Sequence, residues 1–280
     1  MPVPEWGCRP EVAPTDKTGR MEPFPTFYIS HGGGPCFFMP DPQGHWTGLG
    51  RFLTELPASL PRRPRAVLVI TAHWEASVVT IDRGASPELI YDYFGFPDYT
   101  YELEYRAPGS PEMALRIGGA LRGAGVDHLL DPAHGWDHGV FVPLKVIYPD
   151  ADVPIVAMSL RHDLDPDHHL AVGRALRSLR DDVLIIGSGS SFHNLSRWSL
   201  EASQLFDSWL AETLPEAGTS RSNALRRWSS APGASVAHPR EEHLLPLMVA
   251  VGAAETEPGD AVFRGPAMGA MMSCWRFGGQ

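Results

Sequence analysis

Four short apolar runs, at residues 26–30, 66–71, 153–159 and 183–187, are rich in β-branched side chains and end in turn-forming residues. Continuous apolarity over so few positions predicts strands buried on both faces of a sheet. Segments with one apolar face at helical spacing separate them, at about 47–56, 111–122, 167–179 and 199–214. Ser110 followed by Pro111, and Asp165 followed by Pro166, place a capping side chain ahead of proline in the first helical turn. Strands alternating with amphipathic helices predict an α/β fold, a single domain with a mostly buried central sheet flanked by helices. The stretch 221–239 is the weakest in pattern and reads as a loop or short helix. Pro239 fits the first turn of a helix carrying Glu241, Glu242 and His243 into the apolar run 244–251.

Composition narrows the functional classes. The chain has 280 residues, 43% of them hydrophobic, and a formal net charge of −10, which argues against broad nucleic-acid binding or docking on anionic lipid. No run approaches the ~20 apolar residues of a membrane span. The first twenty residues lack the apolar core of a secretory signal. Three scattered cysteines, Cys8, Cys36 and Cys274, make neither a disulfide framework nor a cysteine zinc site. A reducing cytoplasm is the expected location. Residues 1–23 read as a disordered extension, with Met21 a candidate alternative start, and 24–280 as the catalytic domain. No interface pattern stands out, so homo-oligomerisation stays open.

Twelve histidines are an excess for this length. Three of the strand candidates run straight into one: His31-Gly-Gly-Gly-Pro35, Ala72-His73-Trp74-Glu75 and Ser188-Gly-Ser-Ser-Phe-His193. Open α/β sheets build sites at the carboxyl ends of their strands, so these histidines should meet there. The glycines after His31 allow close backbone approach to a ligand. A phosphate cradle is the weaker reading, because the spacing fits no phosphate-loop pattern and the chain has only Lys17 and Lys145. Two further clusters, His134-Gly-Trp-Asp-His138 and His238-Pro-Arg-Glu-Glu242-His243, suit a pocket wall and a ligand-bearing segment. Neutral imidazoles with a carboxylate fit Fe(II), Zn(II) or a related metal. They do not choose between oxygenation and hydrolysis. His45, His128, His162, His168 and His169 have no such context.

Taken in order, Ser30-His31-Gly-Gly-Gly-Pro35, Thr71-Ala-His73-Trp-Glu75, Tyr91-Asp-Tyr93-Phe94-Gly-Phe-Pro97, Trp136-Asp-His138-Gly139, Gly189-Ser-Ser-Phe-His193-Asn-Leu195 and His238-Pro-Arg-Glu-Glu242-His243 resemble the class III extradiol dioxygenases, in the 4,5-DOPA dioxygenase branch of the LigB-like superfamily. The resemblance spans about residues 24–275. It implies a mononuclear Fe(II) centre that opens the ring of a catechol with O2; homologues of this branch also hold zinc when isolated. By position, His31, His73 and His243 match metal-binding histidines. His193 matches either a further ligand or the catalytic acid–base, and His138 a residue near the substrate. Glu242 stays an alternative third ligand, since a related branch uses glutamate. His-Gly-Gly-Gly-Pro replaces the commoner His-Gly-Ser-Pro, which puts the loop shape in question. Trp136, Tyr93 and Phe94 are candidate aromatic walls for a small aromatic diol. Arg106 and Arg161 are candidate cations for an acidic one. A zinc hydrolase on the same residues and a non-catalytic metal-binding interaction protein are the alternatives.

Overall fold

All four apolar runs become neighbouring strands in the computed structural model, which describes residues 22–279. Among the described residues the strands are β1 (Thr26–Ser30), β2 (Ala66–Ala76), β3 (Val79–Asp82), β4 (His128–Asp131), β5 (Ile155–Arg161), β6 (Val183–Gly189), β7 (Gly259–Ala267) and β8 (Ala270–Phe277). They form one sheet in the order β4-β3-β5-β2-β6-β1-β8-β7. The central β5, β2, β6 and β1 are mutually parallel, and β3 and β8 run antiparallel to their central neighbours. Of the expected extension 1–23, residues 1–21, Met21 included, lie outside the described residues.

Helices cover both faces, which is why the central strands show no polar alternation. They are α1 (Thr47–Glu55), α2 (Pro111–Gly123), α3 (His138–Ile147), α4 (Pro166–Leu176), α5 (Leu200–Thr213), α6 (Thr219–Arg226), α7 (Ala234–Ala237) and α8 (Leu245–Ala253). On one face Leu68, Ile70, Val156 and Ile185 pack with Leu170 and Leu176 of α4 and with Met248 and Val249 of α8. On the other, Val67, Val69, Ile155 and Ile186 pack with Leu49 and Leu53 of α1 and Phe141 and Leu144 of α3. Burying each such side chain contributes about 2 kcal/mol. No helix among the described residues is long and apolar enough to cross a membrane.

The caps form as expected. The Ser110 hydroxyl accepts from Met113 N at 3.3 Å, and the Asp165 carboxylate from Asp167 N at 3.0 Å. The helix expected to reach 179 ends at Leu176 and tightens into a 3-10 turn, Arg177–Asp181. The weak stretch folds as α6 and α7, anchored by the buried Arg221 guanidinium, which donates to the carbonyls of Leu214, Ala254, Glu255 and Glu257. Pro239 starts no helix. The segment before α8 crosses the sheet end instead, and Pro246 occupies the first turn.

Candidate metal centre

Strands β2, β6 and β1 end side by side, with Thr71 opposite Ser188 and Ser30 opposite Gly189. His31 therefore follows β1 directly beside Ser188. The next residue, Gly32, has φ +87°, and a Cβ there would meet Cys36 Sγ at 2.3 Å, so glycine is required for the turn. His73 is not in a loop after β2 but inside it, where the ladder to β5 slips between Ile70 and Glu75; such irregularities re-aim side chains near sites. His138 opens α3 and is buried. His243 is held by its own carbonyl, which accepts from Tyr28 Oη at 2.8 Å and Ser190 N at 3.1 Å. That carbonyl lies where a Cβ at Gly189 would be, 2.0 Å away. Only glycine at the end of β6 lets the segment cross so closely.

Five imidazoles line one cavity, His31, His73, His138, His193 and His243, and each has an acceptor beside its Nδ1. Ser188 Oγ donates to Gly139 O at 2.5 Å, so at 3.0 Å it accepts from His31 Nδ1. Asp92 accepts from His138 Nδ1 through Oδ1 at 2.8 Å, and its Oδ2 lies 3.2 Å from His73 Nδ1. Glu242 accepts from two rings through Oε1, 3.0 Å from His193 Nδ1 and 2.9 Å from His243 Nδ1. With Nδ1 protonated toward these acceptors, every Nε2 keeps its lone pair. The Nε2 atoms of His31 and His73 are 3.2 Å apart, too close for two protonated nitrogens and suited to a shared cation. His31, His73 and His138 each offer a ligand atom within 4.8 Å of the others, as do His193, Glu242 and His243. The donor set fits a metal that takes neutral nitrogen, with the outer carboxylates that orient such ligands.

Electrostatics favour the neutral rings. Burial, then the neighbouring imidazoles, holds His31 and His243 well below the usual range. Burial foremost, and then His138, brings His73 down to about 3 against the opposing pull of Asp92. Burial acts to raise Asp92 and Glu242, but their imidazole partners hold both below the ordinary carboxylate range. Two anions thus sit behind four of the five rings.

The other expected residues separate. Tyr93 lines the cavity with its hydroxyl tied to Thr100 O at 2.6 Å, and Phe94 stands at the mouth, 90% exposed. Trp136 is no wall. It is fully buried in the core beside Val140 and Phe141, its indole N–H donates to Asp82 Oδ2 at 3.0 Å, and it does not line the cavity. Arg106 and Arg161 pair with Glu104 and Asp163 and do not line it either. His134 stacks on Trp74 at 3.6 Å and His238 bonds Ser191 O, both structural roles. Asp92 lies within the Tyr91–Pro97 segment and Ser188 heads the run to His193, but neither residue type by itself points to a role in holding an imidazole. Arg240, which reaches the cavity, was hidden within the His238 cluster.

Comparison with known proteins identifies the family. Residues 26–270 match the family model described as the catalytic LigB subunit of aromatic ring-opening dioxygenase. "Dioxygenase tasH" of Hapsidospora irregularis is 41% identical over 261 residues, 85% of this chain and 80% of that protein. "4,5-DOPA dioxygenase extradiol" of Beta vulgaris is 38% identical over 82% of this chain and 86% of that one. A crystal structure of an uncharacterized Escherichia coli K12 protein superposes with a TM-score of 0.75 at 28% identity, covering 91% of this chain and 100% of that one.

Proposed function

Since the chain belongs to the LigB family of aromatic ring-opening dioxygenases, we propose that it opens a catechol ring in the extradiol manner at a mononuclear non-haem Fe(II) centre. The observation that carries this reading is the set of five imidazoles around one cavity, four with Nδ1 hydrogen-bonded and His73 with Nδ1 3.2 Å from Asp92, which leaves their Nε2 atoms for metal and substrate. His31, His73 and His243 would hold the metal. Glu242 orients two rings through Oε1, while its buried Oε2 makes no hydrogen bond, so Glu242 stays the alternative third ligand. When bound, Fe(II) supplies chelation of both diol oxygens and the electron transfer that lets dioxygen react.

The chain's own groups then manage protons and position. His193 Nε2 takes a phenolic proton as the diol binds, and Glu242 behind its Nδ1 stabilises the resulting imidazolium. His138, oriented by Asp92, takes the second diol proton on its Nε2 and then donates it to the oxygen on which negative charge develops. Tyr93, whose ring meets that of His138 edge-on at 5.9 Å, and Phe94 flank the aromatic ring. The carbon–carbon bond beside the diol breaks, both atoms of dioxygen enter the product, and no external reductant is consumed.

The test is anaerobic reconstitution with Fe(II), addition of a catechol panel, then admission of air. Oxygen uptake with a coloured semialdehyde product supports the reading. Absence of both across the panel sinks it, and turnover of an ester by the zinc-loaded protein without oxygen would favour a hydrolase instead. A bound metal with neither reaction would leave a non-catalytic role. Cytoplasmic location is part of the proposal, since the substrate and metal need a reducing compartment to stay in the required states.

A further inference from the structure

The cavity above the imidazoles is far larger than a bare catechol needs. It measures about 960 Å³, near the top of the range for pockets that enclose drug-sized ligands. Outward from the histidines its walls are Trp46, Phe96, Leu195, Trp198, Met268 and Met272. Leu195 and Met268 are exposed, at 70% and 43%, a dry-lined mouth that solvent would otherwise cover at a cost.

Charge points the same way. Among the described residues Arg240 is the lining residue with a permanent positive charge, against Asp41, Glu75, Asp92 and Glu242. Its guanidinium is already claimed. Glu75 takes both Nη atoms, at 2.5 and 2.6 Å, and Glu242 Oε2 lies 3.5 Å from Nη1. Asp41 is spent on the backbone N–H groups of His45 and Trp46, at 2.9 and 2.8 Å, and Asp92 on two imidazoles. A carboxylate on the substituent would find Arg240 already paired with Glu75 and would have to displace that partner.

We infer that the substrate is a catechol carrying a bulky, uncharged, apolar substituent, and that the Glu75–Arg240 pair acts as a specificity element that turns away ionised side chains. The inference rests on the ring-opening reading above. It uses the geometry of a cavity that a small polar side chain would leave mostly unfilled.

The experiment compares catechol, 4-benzylcatechol, 3,4-dihydroxyphenylacetate and 3,4-dihydroxyphenylalanine on the Fe(II)-loaded full chain, and ranks their anaerobic binding to the zinc-loaded chain by tryptophan fluorescence. The benzyl compound should exceed both ionised ones about tenfold in kcat/KM and in affinity. Equal or better use of either ionised compound overturns the inference. If no compound consumes oxygen, unsubstituted catechol included, the ring-opening reading fails, while the binding order still decides the preference for an apolar substituent. Glu75→Gln releases Arg240 and should move the ratio of dihydroxyphenylacetate to benzylcatechol use about tenfold toward the acid. Adding Arg240→Gln to it should return the ratio. A ratio that ignores both changes removes the pair from the account.

Discussion

His193 and His243 stack face to face, with ring centroids 3.3 Å apart and 16° between their planes, and both hang by Nδ1 from the same oxygen of Glu242. One carboxylate therefore sets the tautomer of a proposed metal ligand and of the proposed acid–base together. Asp92 lies behind His138 and His73 through separate oxygens, hydrogen-bonded to the first and 3.2 Å from Nδ1 of the second. The centre is built as two carboxylate-bridged imidazole pairs, with His31 held separately by Ser188.

His193→Ala separates ligand from acid–base. In the proposed role the variant keeps metal affinity within about threefold of the native chain, measured by chelator competition, while kcat falls about 10²–10⁴-fold. A loss of affinity as large as that of His31→Ala would make His193 a ligand.

Asp92→Asn leaves one acceptor and turns an amide N–H toward the second ring, so either His73 or His138 must rotate or change tautomer. Metal affinity should fall about 10–100-fold, and the visible spectrum of the Co(II)-substituted chain should shift. An unchanged affinity and spectrum would reduce Asp92 to a packing role.

His169 gives a pH dependence away from the metal centre. Its Nδ1 donates to Asp165 O at 2.7 Å and its Nε2 accepts from Arg161 N at 3.1 Å, an arrangement that needs the neutral ring. Burial pulls it down to about 4, below the unfolded value of about 6.5. The unfolded chain binds the extra proton first, so this contribution is whole above pH 6.5 and is lost as pH falls toward 4, roughly 3 kcal/mol in all. Urea unfolding of His169→Gln should show lower stability at pH 8 and a shallower decline between pH 6.5 and 4 than the native chain.

Arg221→Met removes four hydrogen bonds that a fully buried side chain makes to the carbonyls of Leu214, Ala254, Glu255 and Glu257. Denaturant unfolding should record a loss of about 3 kcal/mol or more. A change under 1 kcal/mol would mean that the segment reorganises around the gap.

What the chain determines locally was legible. The central strands are apolar on both faces because both are covered, Ser110 and Asp165 cap where proline follows, and three strands carry histidine to the same sheet edge. Those features depend on neighbours within a few residues. Strands β3 and β4 have four residues each, too few for a periodic signal, and the edge hairpin β7–β8 includes Gly265 and Pro266. Most of the groups that hold the imidazoles and pair Arg240 were decided by tertiary structure. Asp92 meets His138 across 46 positions, Glu242 meets His193 across 49, and Arg240 meets Glu75 across 165. Trp136 looked like a pocket wall and became core, its indole N–H bonded to Asp82 across 54 positions. Residue type shows that an imidazole can bind a metal; which nitrogen is free to do so depends on the acceptor that the fold brings to the other one.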